Sequence, residues 1–351
     1  MDRTEQLKAM VDNCRDLILK TERDIWAHPE TGYTEWKTCA YMEKIFEDLG
    51  YELVKAGDIP GFYTDLDTGK PGPKIAILGE LDSLICANHP DADPETKAVH
   101  ACGHNAQSAT LAGIAAALKQ PGALDGLCGS IRLMSVPAEE LIQLGFREEL
   151  RKKGTLHYYG GKVEFIYRGY FDGVDISMMI HTGHMDEGKY LTINPGCNGC
   201  VVKNLTFQGV ASHAGGAPED GVNALYAATT AMNAANALRE TFKDNEHIRF
   251  HPIITEGGAA VNAIPERTKV ETYVRGASFD AICEYNKKIN RAMAGSAAAI
   301  GGNVLIEDRH GYFPLNNDPN LNDLAKEAME AVGGPDCVVV TDHWDTGSTD
   351  M

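Results

Sequence analysis

Between residues 201 and 308 the hydrophobic pattern takes an order that few folds accommodate. It runs strand 201–209, helix 221–241, strand 248–255, strand 269–275, helix 279–299 and strand 303–308. This βαββαβ order is the split-βαβ, ferredoxin-like arrangement, which forms a small domain by itself. The flanking sequence reads differently. Short apolar runs at 74–78 (KIAIL), 131–136 (IRLMSV) and 174–180 (VDISMMI) are separated by Gly-rich or helical stretches such as 105–118. That is the pattern of an α/β sheet covered by helices. Apolar residues at helical spacing, Leu7, Met10, Val11, Leu17 and Ile18, then Tyr41, Ile45, Phe46 and Leu49, predict two helices over 1–50, broken at HPETGYTE, 28–35. A helix over 320–332 and a buried strand from Cys337 to Val340 resume the outer pattern. The expected organisation is an outer α/β domain over 1–198, an inserted domain over 199–309 and a return segment over 310–351. The outer domain is expected to lack a closing helix or strand at Met351.

With 351 residues and 43% apolar content the chain can bury two cores. The formal charge of -18 argues against nucleic acid as a partner, because phosphate binding relies on clustered Lys and Arg. No stretch approaches the roughly 20 apolar residues that cross a bilayer, so no membrane partner is expected. The N-terminal MDRTEQLKAMVDNCRD lacks a secretory apolar core. Nine cysteines, an odd number, fit reduced thiols better than a disulfide framework, and a cytoplasmic location follows as the expectation.

In an open α/β sheet, functional residues gather at strand ends. The densest cluster is HACGHN at 100–105, which follows the acid pair Glu80 and Asp82 and precedes PAEE at 137–140. Cys102 and His104 can reach one metal if the backbone turns sharply, as Gly103 permits. The same pair also reads as a buried Cys beside a packed His, or as a thiolate nucleophile with its base. The adjacent acids Glu139 and Glu140 favour the metal, since two neighbouring carboxylates repel unless one is a ligand and the other a base. His181, at the end of an apolar run, reads as a core residue or as a further ligand. Thiolate, imidazole and carboxylate together suit zinc or another borderline first-row metal rather than calcium.

The motifs HPETGYTE, GELDSL, HACGHN, VPAEE, GGKVEFIYRGYFDGVD before His181, ASHAGGAPEDGVNAL, GGAAVNAIPE with Arg275, and GSTDM follow one another along essentially the whole chain. In this order they resemble the M20 metallopeptidases, in particular the subgroup of aminobenzoyl-glutamate, hippurate and auxin-conjugate hydrolases. The resemblance implies a catalytic α/β domain with one or two divalent ions, Zn2+ or Mn2+ with Co2+ or Ni2+ as substitutes, and a lid domain that mediates homodimerisation. It implies a small N-acyl amino acid or dipeptide-like substrate, cleaved at an amide bond.

Residue by residue, the resemblance makes Cys102, His104, Glu140 and His181 metal ligands and Glu139 the general base. Asp82 falls where related branches orient a ligand His, and Glu80 stands where those branches have a ligand His. Asn105 replaces a common Asp and is expected to alter the surroundings of the ligands. In the lid, His213 and Asn262 match groups that stabilise the oxyanion, and Arg275 matches a holder of the substrate carboxylate. Cys197 and Cys200 form a CxxC read as structural, and the long stretch 141–160 is expected to bear on the pocket. The family's further His ligand lies beyond GSTDM, so residues 1–351 alone are expected to bind metal weakly. Two rival readings stay open: a cysteine-nucleophile hydrolase, and a ligand-binding or assembly chain with an incomplete metal site.

Overall fold

The computed structural model describes residues 2–183 and 190–351. The chain divides into two compact units: Met1–Thr192 with Leu324–Val339 and Asp350, and Ile193–Asp323 with Val340–Thr349 and Met351.

The first unit is built on a five-stranded sheet. Its order is Val54–Lys55, Phe62–Asp67, Ser130–Val136, Lys74–Glu80, Ile176–Met178. Lys74–Glu80 pairs in parallel with both neighbours, and Phe62–Asp67 is antiparallel to Ser130–Val136. Glu80 is in register with Val136, so the two strands end side by side and release Leu81-Asp82 and Pro137–Glu140 at the same edge. The third apolar run yields a strand over Ile176–Met178 alone. It lies at the edge of the sheet, where the Lys74–Glu80 ladder is its support.

Helix His104–Leu118 covers this sheet and is buried along most of its length. Its small residues let it pack closely: a Cβ on Gly113 would come within 2.6 Å of the Ile18 side chain. Leu111, Ala112 and Ala115 join Met42, Phe46, Phe62, Leu81 and Leu133 in one core. The N-terminal region forms three helices, Arg3–Asp12, Arg15–Trp26 and Trp36–Asp48, rather than the two expected. The extra break falls at Asn13-Cys14, where the Cys14 amide closes a tight turn onto Val11 O and its thiol bonds Met10 O. Apolar spacing continues across such a turn, so periodicity does not reveal it.

In the second unit, strand Gly199–Gln208 lies between Arg267–Gly276 and Asn303–His310, all antiparallel. The remaining expected strand is divided into Arg249–Phe250 and Ile253–Glu256, both on the far side of Arg267–Gly276. Pro252 has no amide to donate, which accounts for the interruption. By order of appearance the strands lie 2-3-1-4, the split-βαβ topology. Helices Ala224–Ala237 and Phe279–Ala299 cover one face, capped by the Asn223 and Ser278 side chains. Ala224, Ala227, Ala228, Ala231 and Ala235 seat the first against Leu205, Phe207, Val270 and Val274. Beneath the second, fully buried Lys203 bonds Asn290 Oδ1 and Asp308 Oδ1.

Helix Pro319–Gly333 forms where a helix was expected, and the strand after it spans Val338–Val340. Cys337 is buried, but Val340 is 59% exposed, so this is not the buried strand that its apolar residues suggest.

Candidate metal centre

The aligned strand ends bring two acidic turns beside the start of helix His104–Leu118. Asp82 is fully buried, and its main-chain oxygen and Oδ1 lie 2.8 and 3.1 Å from His104 Nδ1. Both are acceptors, so Nδ1 donates and the neutral His104 ring presents Nε2 as a lone pair. The second carboxylate oxygen of Asp82 accepts from the Glu140 amide at 2.9 Å. One side chain thus orients both the imidazole and the turn carrying the paired glutamates.

Gly103 precedes His104 with φ +91°, and a Cβ there would meet Thr182 Oγ1 at 2.2 Å. That hydroxyl donates to Cys102 O at 2.8 Å and ties the HACGHN turn to the residues after His181. Cys102 Sγ lies 3.4 Å from His181 Nε2, while His181 Nδ1 faces Thr182 O at 2.7 Å. His181, like His104, therefore donates through Nδ1 and frees Nε2. Gln107 fixes the same edge by accepting from the Glu80 amide and donating to Ile180 O.

Ala138 turns the PAEE segment with φ +57°, a conformation costly outside glycine. It is held from both sides. Its amide donates to Glu35 Oε1 at 2.8 Å, and the fully buried Arg147 donates to Tyr159 O, Ala138 O and Glu140 O. Arg147 lies on helix Leu144–Lys152, so the long 141–160 stretch contains a helix that braces the glutamates. Glu139 is 8% exposed, and Glu140 stands beside the Cys102 thiol.

Lys162, at the start of helix Gly161–Tyr167, is buried and pairs through Nζ with Glu80 Oε1 and Asp350 Oδ1. Its amide also donates to Asp350 Oδ2 at 2.7 Å. Gly161 allows this docking, because a Cβ there would overlap Pro137 O at 1.7 Å. The other oxygen of Glu80 lies 3.2 Å from His104 Nε2. Among the described residues, neither of those two buried atoms has a hydrogen-bond partner.

Among the described residues, two overlapping sets have ligand atoms within 4.8 Å of one another: Cys102, His104 and His181, and Glu80, His104 and Glu139. Thiolate, imidazole and carboxylate donors around two orphaned buried atoms fit a borderline first-row ion. Burial, then Glu80, pushes the Glu139 carboxyl well above the usual carboxylate range. Burial likewise raises Glu140 and the Cys102 thiol. Burial works against a charged His104, but Asp82, Cys102 and Glu80 outweigh it and raise its pKa. For Glu80 burial is outweighed by Lys162, which holds it low.

Asn105 turns towards helix Arg15–Trp26, where its amide donates to Glu22 Oε1 at 2.8 Å. The remaining candidates belong to the second unit. His213 pairs with Ala263 across an isolated bridge, and Ala214 N donates to Asn262 O, so His213 and Asn262 occupy adjoining exposed turns. Arg275 is half-buried over the Tyr273 ring, 5.4 Å from its centroid. Directly opposite it across the strands stands Arg249. Sequence reading gave no role to Lys162, Asp350, Arg147, Glu35 or Arg249. Lys162 and Asp350 sit inside two of the motifs named above, and the adjacent glycines before Lys162 were the available signal of close docking.

Residues 198–299 match the peptidase dimerisation domain of the M20 family. The chain is 26% identical to the indole-3-acetyl-aspartic acid hydrolase of Enterobacter agglomerans, over 80% of this chain and 71% of that one. It is also 26% identical to one of the subunits of the p-aminobenzoyl-glutamate hydrolase of Escherichia coli (86% and 76% covered). With the Xaa-Arg dipeptidase of Mus musculus it shares 28% identity (92% and 70% covered). Two crystal structures share its fold. The aminobenzoyl-glutamate utilization protein of Klebsiella pneumoniae has a TM-score of 0.72 at 24% identity, covering 98% of this chain and 88% of that one. The dinuclear metal binding peptidase of Bacillus subtilis, from the M20 family, has a TM-score of 0.67 at 21% identity (98% and 85% covered).

Proposed function

We propose that this member of the M20 metallopeptidase and amidohydrolase family hydrolyses the amide bond of a small N-acyl amino acid or dipeptide-like substrate. The observation that carries the reading is the convergence of Cys102, His104 and His181 in the unit that also holds buried Glu139 and half-buried Glu140. One or two divalent ions, zinc or manganese with cobalt or nickel as substitutes, would be held by Cys102, His104, Glu140 and His181. When bound, such an ion supplies Lewis acidity that lowers the pKa of a water and polarises a carbonyl.

The chain's own groups do the rest. Glu139 takes the proton of the attacking water and returns it to the leaving amine nitrogen; burial, by raising its basicity, suits it to both transfers. Asp82 holds the ring of His104 and the turn of Glu140 in one orientation. His213 and Asn262 donate to the oxyanion, and Arg275 pairs with the substrate carboxylate.

In the same reading, 1–198 and 310–351 form the catalytic domain and 199–309 the lid. The lid joins two copies through strand Asn303–His310, an edge strand of its sheet that a second chain can pair. No helix among the described residues is long and apolar enough to cross a membrane. The odd number of cysteines, nine, supports a reducing, cytoplasmic location.

The test is a panel of N-acyl amino acids, aminobenzoyl-glutamate and dipeptides assayed with and without chelation. Turnover lost to a chelator and restored by Zn2+, Mn2+ or Co2+ is expected. Turnover that survives chelation but not Cys102→Ala would replace this reading with a thiolate nucleophile.

A further inference from the structure

His213 differs from the other two imidazoles in what its Nδ1 meets. At His104 and His181 that nitrogen faces carbonyl or carboxylate oxygens. At His213 it faces backbone amides: Gly216 N lies 2.9 Å away and Gly215 N lies 3.2 Å away, each with its N–H directed at the ring. An amide N–H only donates, so His213 Nδ1 accepts and carries no proton. The neutral ring then holds its proton on Nε2.

We infer that the Gly215-Gly216 turn is a tautomer lock that fixes His213 as an Nε2–H donor. In their neutral form the proposed ligand imidazoles carry the proton on Nδ1 and leave Nε2 bare, as coordination requires. His213 is held with Nε2 protonated, as donation to a developing oxyanion requires. The catalytic consequence rests on the oxyanion role proposed above, while the lock does not.

The turn is built to keep its amides on the ring. Ala217 N donates to His213 O, Ser212 Oγ to Ala217 O, Ala214 N to Asn262 O and Ile264 N to Ser212 O. These bonds close the segment 212–217 and leave the Gly215 and Gly216 N–H groups directed inward. Gly216 approaches so closely that a Cβ would lie 3.3 Å from His213 Nδ1, while one on Gly215 would lie 3.8 Å from the ring. Both glycines are exposed positioning residues, with no core to disturb.

The experiment uses the metal-loaded full chain labelled with 15N, studied above neutral pH, with the His213 ring assigned by its loss in His213→Gln. A neutral Nε2–H ring is expected, with a through-hydrogen-bond 15N–15N coupling between the Gly216 amide and Nδ1. Gly216→Ala keeps the N–H and should keep the coupling. Gly216→Pro removes it, and should lower kcat with KM little changed. That loss should be smaller than the about 10²–10³-fold that follows complete removal of an oxyanion donor. A wild-type ring protonated at Nδ1, or absence of the coupling, overturns the lock. The coupling present together with a wild-type kcat in His213→Gln upholds the lock and sinks the oxyanion role.

Discussion

The candidate groups of the two units are held in opposite ways. Around His104 the side chains are buried and cross-braced: Asp82, Glu80 and Lys162 are each at most 1% exposed, and each fixes at least one other. His213 and Asn262 sit on exposed turns of the second unit, held mainly by backbone hydrogen bonds. Buried charges interact strongly and must be fully paired, so losing one member is costly. Exposed donors are weak until water is excluded from them. The contrast suits the roles proposed above, charged chemistry for the buried groups and hydrogen-bond donation for the exposed ones.

The largest effect expected lies within the buried cluster. Glu139→Gln should lower turnover by about 10²–10⁴-fold while metal content stays unchanged, because an amide cannot accept the water's proton. Cys102→Ala and Glu140→Ala should lose the metal itself. Elemental analysis beside kinetics separates the two, and near-normal activity in Glu139→Gln would remove it as the base.

A buried lysine in each unit sharpens the comparison. Lys162→Met leaves Glu80 and Asp350 buried together without their cation and should destabilise by about 3–5 kcal/mol in urea unfolding. In Lys203→Met, Asp308 keeps the Asn286 and Asn290 amides at 2.7 and 2.9 Å and some solvent, so about 1–3 kcal/mol is expected. Equal losses would break the distinction between the units.

Arg147→Lys tests whether the braced turn matters to the chemistry. A lysine cannot span the carbonyls of Ala138, Glu140 and Tyr159, and a shifted Glu139 should cost about 10²-fold or less in kcat, with metal retained. An unchanged kcat would show that Ala138 keeps its conformation unaided.

The smallest effects belong to the second unit. Arg275→Ala should raise KM by about tenfold, the loss of one charged hydrogen bond, and Arg249→Ala by less. Two arginines directly opposed across strands repel, which favours an anion between them. Stability should change by no more than about 0.5 kcal/mol in either variant, since both side chains lie partly in water. A KM change larger for Arg249 than for Arg275 would reassign the carboxylate partner.

The sequence by itself determined the order of the longer elements. Long periodic segments such as 279–299 matched the structure because period and length are local properties that neighbours reinforce. It also named Cys102, His104 and His181, whose ligand atoms the structure brings within 4.8 Å of one another, since residue types at strand and helix ends can be read one at a time. Only the tertiary structure decided which atoms face which. Lys162 and Asp350 are 188 residues apart, and a buried lysine reads in sequence like a solvated one. Arg147 lay in a stretch that looked like a covering loop, yet its guanidinium braces the turn behind Glu139. The proton positions on three imidazoles likewise followed from oxygens or amides brought to Nδ1 by folding, and residue type alone does not encode which it will be.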